Sequence, residues 1–150
     1  MPQSLARVVI HMAFSTKDRR PIITTELRQE LWPYMTTVLK NQGNLPIQVG
    51  GVEDHVHLLF ALARTVSISE VVENVKTSSS KWVKESFAQQ STFAWQHGYG
   101  AFSIGYREVD TVAAYVRNQE THHRKMSFQD EFRGLLNDNG VDFDERYVWD

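Results

Sequence analysis

The chain has 150 residues, enough for one domain with a complete hydrophobic core, so we expect a single domain over residues 1–150. Hydrophobic residues make up 41% and charged residues 23%, which is typical of a soluble globular protein and counts against a disordered chain. The absence of cysteine excludes disulfides, thiol catalysis and zinc–thiolate sites. The net charge of −2 counts against indiscriminate binding of nucleic acid but leaves room for a local basic groove.

The apolar residues near the N-terminus form a run too short for a signal peptide or a membrane span. Val8, Val9 and Ile10 are followed at once by His11. We therefore expect a cytoplasmic protein.

Hydrophobic periodicity and turn residues divide the chain into eight predicted elements. In chain order they are a strand at 5–14, a helix at 24–41, strands at 47–51 and 55–62, a helix at 67–87, a strand within the glycine- and aromatic-rich segment 93–107, and helices at 112–124 and 127–138. Pro33 should kink the first helix or mark a restart, because proline removes a backbone donor. The lysines of the second helix, Lys76, Lys81 and Lys84, are expected on its solvated face.

This order of elements predicts an α+β sandwich. A strand-helix-strand-strand-helix-strand core followed by two helices fits a ferredoxin-like or RRM-like fold. Such a fold has a four-stranded, mostly antiparallel sheet, and we expect the helices to pack on one of its faces. No internal repeat, low-complexity tract or linker interrupts the pattern.

The segment that follows Gly50 and Gly51 contains a candidate metal site. The residues from His55 to Leu62 are apolar apart from His55 and His57. In a strand, side chains two residues apart point to the same face with their Cα atoms about 7 Å apart, so two imidazoles can converge on one cation. Two strand histidines without a metal would show the same spacing. Two ligands also do not complete a metal site, so further ligands must come from elsewhere in the chain.

A third ligand and a reactive group are available in the third predicted helix. Tyr115 and Gln119 are four residues apart, which places them on one helix face. The amide oxygen of Gln119, added to two imidazoles, makes a mixed donor set that suits Mg²⁺ or Mn²⁺ better than a closed structural zinc site. A tyrosine one turn from such a ligand can attack a group that the cation polarises. Taken alone, the pair fits a packed tyrosine beside a surface glutamine better than it fits a catalytic site.

Together these motifs resemble those of the HUH-superfamily single-tyrosine transposases, which include small insertion-sequence transposases and REP-associated tyrosine transposases. His55-Val56-His57 is similar to the His-hydrophobic-His signature of that superfamily. Residues 115–120 (YVRNQE), followed by residues 122–125 (HHRK), resemble its catalytic helix. The likeness extends to the Gly-Gly-x-x-Asp segment before His55, the serine-rich helix at 76–84 and residues 95–103.

The resemblance implies a metal-dependent enzyme that cleaves and rejoins single-stranded DNA. His55, His57 and Gln119 would hold one divalent cation, Mg²⁺ or Mn²⁺. Tyr115 would be the nucleophile and would form a 5′-phosphotyrosine link with release of a 3′-hydroxyl. The family further implies a hairpin-bearing substrate and a homodimer in which Tyr115 of one subunit serves the histidines of the other. The alternative, which the sequence leaves open, is that each subunit completes its own site in cis. Weaker candidates for DNA contacts are Arg117, Arg124 and Lys125.

Three other functions fit parts of the pattern. A histidine-triad nucleotide hydrolase would need a histidine two residues after His57, and Leu59 excludes it. A metal-dependent phosphodiesterase would release its product by water, without a covalent adduct. A non-catalytic or domesticated RRM-like nucleic-acid-binding protein would expose strand aromatics for base stacking. The candidates for that stacking surface are Phe93, Trp95, Tyr99 and Phe102.

Overall fold

Four strands form one antiparallel sheet in the computed structural model, which describes residues 2–150. They are β1 (Val9–Ser15), β2 (Leu45–Gly51), β3 (His55–Ala61) and β4 (Gly100–Ile104). Their spatial order is β2-β3-β1-β4, and each neighbouring pair is antiparallel. This is the order of a ferredoxin-like sandwich, so the predicted α+β fold is confirmed.

The α-helices accompany the sheet in the predicted order. They are α1 (Thr25–Asn41), α2 (Ile68–Ser86), α3 (Val109–Arg117), α4 (Gln119–His122) and α5 (Phe128–Asp138). α1 runs through Pro33 as one helix, without the predicted restart, because the buried residues Leu31 and Met35 hold both halves against the sheet. Across residues 2–150, no helix combines the length and the apolar character needed to cross a membrane.

The alternation of side chains along β1 and β3 gives the sheet two buried faces. Even-numbered residues such as Met12 and Leu58 join a large apolar core with α1 and α2. Odd-numbered residues point the other way, where Ala13 packs with α5 and Leu59 packs with α3. Helices therefore cover both faces of the sheet, whereas the sequence predicted helices on one face.

The third predicted helix is interrupted in the structure. α3 ends at Arg117, Asn118 adopts a non-helical conformation (φ −97°, ψ 23°), and the short helix α4 begins at Gln119. Asparagine is a poor residue for a helix interior because its side chain competes for backbone hydrogen bonds. After this break the Gln119 side chain is fully buried.

Lys76 does not lie on the solvated face predicted for it. Its ammonium group donates to the carbonyl oxygens of Gln96, His97 and Gly98 at 2.8, 3.0 and 2.7 Å. Burial lowers the pKa of Lys76 to about 8. This lysine ties α2 to the segment that precedes β4, and β4 itself occupies only a short part of the strand predicted within 93–107.

Candidate functional site

His55 and His57 lie side by side on the sheet face that α3 and α5 cover. β3 lies between β1 and β2, and both imidazoles are completely buried. Their ring centroids are 5.1 Å apart. The strand alternation thus brings two buried imidazoles together at one point.

Hydrogen bonds behind the two rings determine which nitrogen faces the site. Asp54 Oδ1 lies 2.7 Å from His55 Nδ1, and because an ionised carboxylate only accepts, Nδ1 donates to it. His57 Nδ1 pairs with His11 Nε2 of the neighbouring strand β1 at 2.8 Å. Burial first, and the nearby His57 second, lower the pKa of His11 to about 3, so His11 is an uncharged partner. The Nε2 atoms of His55 and His57 are therefore directed into the site.

Gln119 reaches the same point from α4. Its amide nitrogen donates to Glu131 Oε2 at 3.1 Å, which turns its oxygen Oε1 toward His55 Nε2 at 3.0 Å. Because His55 carries a proton on Nδ1, its Nε2 presents a lone pair to the lone pair of Gln119 Oε1. A proton or a metal ion between these two atoms would remove the repulsion. Two imidazole nitrogens and an amide oxygen form a donor set that fits a divalent cation such as Mg²⁺ or Mn²⁺.

Tyr115 lies four residues before Gln119 and faces the histidines of its own chain. Its ring centroid is 5.8 Å from that of His57, and its hydroxyl donates to Glu131 Oε2. Burial, followed by the charge of Glu131, raises the pKa of Tyr115 well above its usual value, so the hydroxyl is protonated in this arrangement. Tyr115, both histidines and Gln119 thus meet within one chain.

Glu131, which the sequence patterns did not single out, lies at the centre of this group. α5 presents its side chain to the covered sheet face, where the residue is 4% exposed. Oε1 lies 2.9 Å from His57 Nε2 and 3.4 Å from His55 Nε2. Although burial opposes ionisation, the imidazoles of His123 and His57 hold the pKa of Glu131 well below its usual range. A charged carboxylate is therefore buried among histidines.

The sequence signals for Glu131 and His11 are present but unspecific. Glu131 lies between Phe128 and Phe132 on the apolar stripe of α5, where a carboxylate is unusual. His11 interrupts the apolar residues of β1. Neither pattern specifies a partner, because the contacts between these groups depend on how α5 docks on the sheet.

The three candidate DNA contacts are exposed and do not join the buried cluster. Arg117 ends α3 beside a groove of about 390 Å³ that Gly50 and Gly51 also line. Arg124 and Lys125 follow α4 in the turn before α5. These residues place positive charge on the surface close to Gln119.

Solved structures that share the fold of this chain include two transposases. A candidate transposase from Deinococcus radiodurans R1 has a TM-score of 0.65 and 18% sequence identity, covering 79% of this chain and 98% of its own. A REP-associated tyrosine transposase bound to a REP hairpin has a TM-score of 0.61 and 13% identity, covering 82% of this chain and 73% of its own. At such identities the likeness shows the fold alone.

A comparison of the sequence with protein-family models shows the family to which the chain belongs. No curated protein matches the chain. The family model described as "Transposase IS200 like", however, matches residues 4–119, well over half of the 150 residues. This match agrees with the resemblance of the histidine and tyrosine motifs to single-tyrosine transposases. The chain belongs to the IS200-like transposase family.

Proposed function

We propose that this DNA transposase cleaves and rejoins single-stranded DNA through a covalent bond between Tyr115 and a DNA phosphate. One domain over residues 1–150 would carry the activity. The observation that supports the proposal most strongly is the position of the Tyr115 ring beside His57. His57 and His55 are buried, and their Nε2 atoms are directed into one site. A tyrosine with only a packing role would not need such a polar surrounding.

The proposed ligands of one divalent cation, Mg²⁺ or Mn²⁺, are His55, His57 and Gln119. The facing lone pairs of His55 Nε2 and Gln119 Oε1 support a cation at this point. When bound, the ion supplies stabilisation of the negative charge that develops on the scissile phosphate. The chain itself contributes the orientation of the donors, which Asp54 fixes at His55.

In the proposed reaction, Tyr115 Oη forms a bond to phosphorus while the bond from phosphorus to the 3′ oxygen of the preceding nucleotide breaks. The tyrosine loses its proton and the departing oxygen gains one, which leaves a 5′-phosphotyrosine and a free 3′-hydroxyl. In rejoining, a 3′-hydroxyl attacks the phosphotyrosine and Tyr115 regains a proton. Because the covalent link conserves the energy of the phosphodiester, rejoining requires no nucleoside triphosphate.

The proposed substrate is single-stranded DNA that carries a hairpin. The REP-associated tyrosine transposase of similar fold is described as bound to a REP hairpin, which makes a hairpin the first probe to use. Exposed arginine and lysine side chains near the site can contact the phosphates on either side of the cleaved bond. These residues are Arg117, Arg124 and Lys125.

A homodimer is proposed from the family resemblance. The contacts within this chain favour a site completed by its own Tyr115, since the Tyr115 hydroxyl donates to Glu131 and Glu131 contacts His57 of the same chain. Pairing of two chains would then position two complete sites, one for each DNA end.

An RRM-like binding protein has less support because its stacking surface is covered. Such proteins stack bases on aromatic side chains of a free sheet face. In this chain α3 and α5 cover that face, and three of the four candidate aromatics are buried. The buried ones are Phe93, Trp95 and Phe102. Tyr99 alone among the four is exposed, at 38%.

Incubation of the wild-type chain with hairpin-bearing single-stranded DNA and Mn²⁺ tests the proposed function. We expect a protein–DNA complex that survives denaturation, and no such complex from Tyr115→Phe or His57→Ala. Tyr106→Phe alters a tyrosine that is 77% exposed and should form the complex as the wild type does. An adduct from Tyr115→Phe would refute the assignment of the nucleophile. Cleavage without any adduct would instead identify a metal-dependent phosphodiesterase.

A further inference from the structure

Glu131 presents one carboxylate oxygen to three imidazoles. Oε1 lies 2.9 Å from His57 Nε2, 3.1 Å from His123 Nε2 and 3.4 Å from His55 Nε2. The imidazoles come from β3 and from the turn after α4, whereas the carboxylate comes from α5. Each of the four residues offers one donor atom, and these atoms all lie within 4.8 Å of one another. Two of the four, Glu131 and His123, lie outside the ligand set of the proposed function.

His123 has a buried nitrogen that lacks a hydrogen-bond partner among residues 2–150. Its Nδ1 donates to the carbonyl oxygen of Met126 at 2.5 Å. Its Nε2 lies 3.1 Å from Glu131 Oε1 but lacks hydrogen-bond geometry with any described residue, although the side chain is only 8% exposed. An unsatisfied buried nitrogen costs free energy. A cation bound to both Nε2 and Oε1 would satisfy the two atoms at once.

The three histidines share the arrangement that is usual for metal ligands. In such sites the ring nitrogen that does not bind the ion is held by an outer partner, which fixes the tautomer and the orientation. Here each imidazole has such a partner on Nδ1, and the Nε2 atom of each lies within 3.4 Å of Glu131 Oε1. The pairs are His55 with Asp54, His57 with His11, and His123 with Met126.

We propose that Glu131 and His123 are additional ligands of the divalent cation. The inference rests on the proposed function, which already includes one divalent cation. Three imidazole nitrogens favour a transition ion such as Mn²⁺, whereas Mg²⁺ prefers oxygen ligands and retains its waters, so the site should bind Mn²⁺ more tightly than Mg²⁺. Glu131 also connects the ion to the tyrosine, because its second oxygen accepts the hydrogen bond of the Tyr115 hydroxyl.

Calorimetric titration of the full chain with MnCl₂, in the absence of DNA, tests the two added ligands. We expect Glu131→Gln and His123→Ala each to weaken Mn²⁺ binding by roughly tenfold or more. Asp130→Asn removes the same charge from an exposed position of α5, and His97→Ala removes an exposed histidine. Both controls should retain wild-type affinity. Wild-type affinity in Glu131→Gln or in His123→Ala, or tighter binding of Mg²⁺ than of Mn²⁺, would overturn the proposal.

The titration separates this inference from the proposed function because it contains no DNA. If wild-type protein forms the adduct while the two variants bind Mn²⁺ normally, the added ligands are wrong and the proposed function stands. If the variants lose Mn²⁺ affinity but wild-type protein forms no adduct, the ligand set stands and the proposed function is wrong.

Crystals of wild-type protein soaked in Mn²⁺ keep the inference testable even if the variants fold poorly. An anomalous peak roughly 2.2 Å from both His123 Nε2 and Glu131 Oε1 is expected. A peak bonded only to His55, His57 and Gln119 would contradict the additional ligands, as would the absence of any peak.

Discussion

His11 lies behind His57 and holds its ring in place. The two rings stack with their centroids 5.0 Å apart and share a hydrogen bond of 2.8 Å. Because burial lowers the pKa of His11 to about 3, the ring is uncharged and can accept the Nδ1 proton of His57. Outer partners of this kind orient a ligating histidine, and their loss typically weakens metal binding by roughly 10- to 100-fold.

We therefore predict that His11→Leu weakens Mn²⁺ binding by roughly tenfold or more. Leucine fills much of the same space but offers no acceptor, so His57 Nδ1 would lose its partner and the ring could turn. Calorimetric titration measures the affinity, and circular dichroism confirms the fold. His97→Leu, at an exposed histidine, is the matched control. Unchanged affinity in a folded His11→Leu variant would show that His11 only fills space.

The backbone of α3 lies directly against Gly50 of β2. A Cβ atom at that position would overlap the carbonyl oxygen of Val116, the residue that follows Tyr115. The absence of a side chain at Gly50 therefore allows α3 to dock close to β3 and its histidines.

Gly50→Ala should lower the free energy of unfolding by about 1–3 kcal/mol, because α3 must move away from β2. The same shift moves Tyr115 and should reduce the yield of adduct. Urea denaturation measures the first effect and the DNA assay the second. Gly134→Ala is the control, since no atom lies within 4 Å of its added Cβ and alanine favours a helix. Wild-type stability of Gly50→Ala would contradict the close docking of α3.

For the whole molecule, the order of the elements was predictable because periodicity is a local property of the chain. The antiparallel four-stranded sheet follows from it and is confirmed. Burial of the second sheet face was not predictable, because it depends on the packing of α5 against β1 and β4. The same packing brings Glu131 to His57, so the sequence does not predict this contact. The spacing of His55 and His57 on one strand is a local pattern, and the sequence alone shows it.

The contacts within the chain also lead to a prediction about assembly. Because Tyr115 lies beside the histidines of its own chain, a mixture of co-expressed His57→Ala and Tyr115→Phe should form no adduct. Neither variant contains both groups, and mixed dimers would not restore a site completed in cis. Adduct formation by doubly tagged mixed dimers, measured on denaturing gels, would instead establish a site shared between two subunits.

The mass of one tryptic peptide tests the central assignment most directly. Wild-type protein is incubated with hairpin-bearing single-stranded DNA and Mn²⁺, denatured, and digested with nuclease and then trypsin. Trypsin should release residues 108–117 (EVDTVAAYVR), in which Tyr115 is the only tyrosine. We predict that mass spectrometry finds a nucleotide joined through its 5′-phosphate to Tyr115 in this peptide. Cleaved DNA alongside an unmodified peptide, or a nucleotide on another residue, would contradict the role of Tyr115.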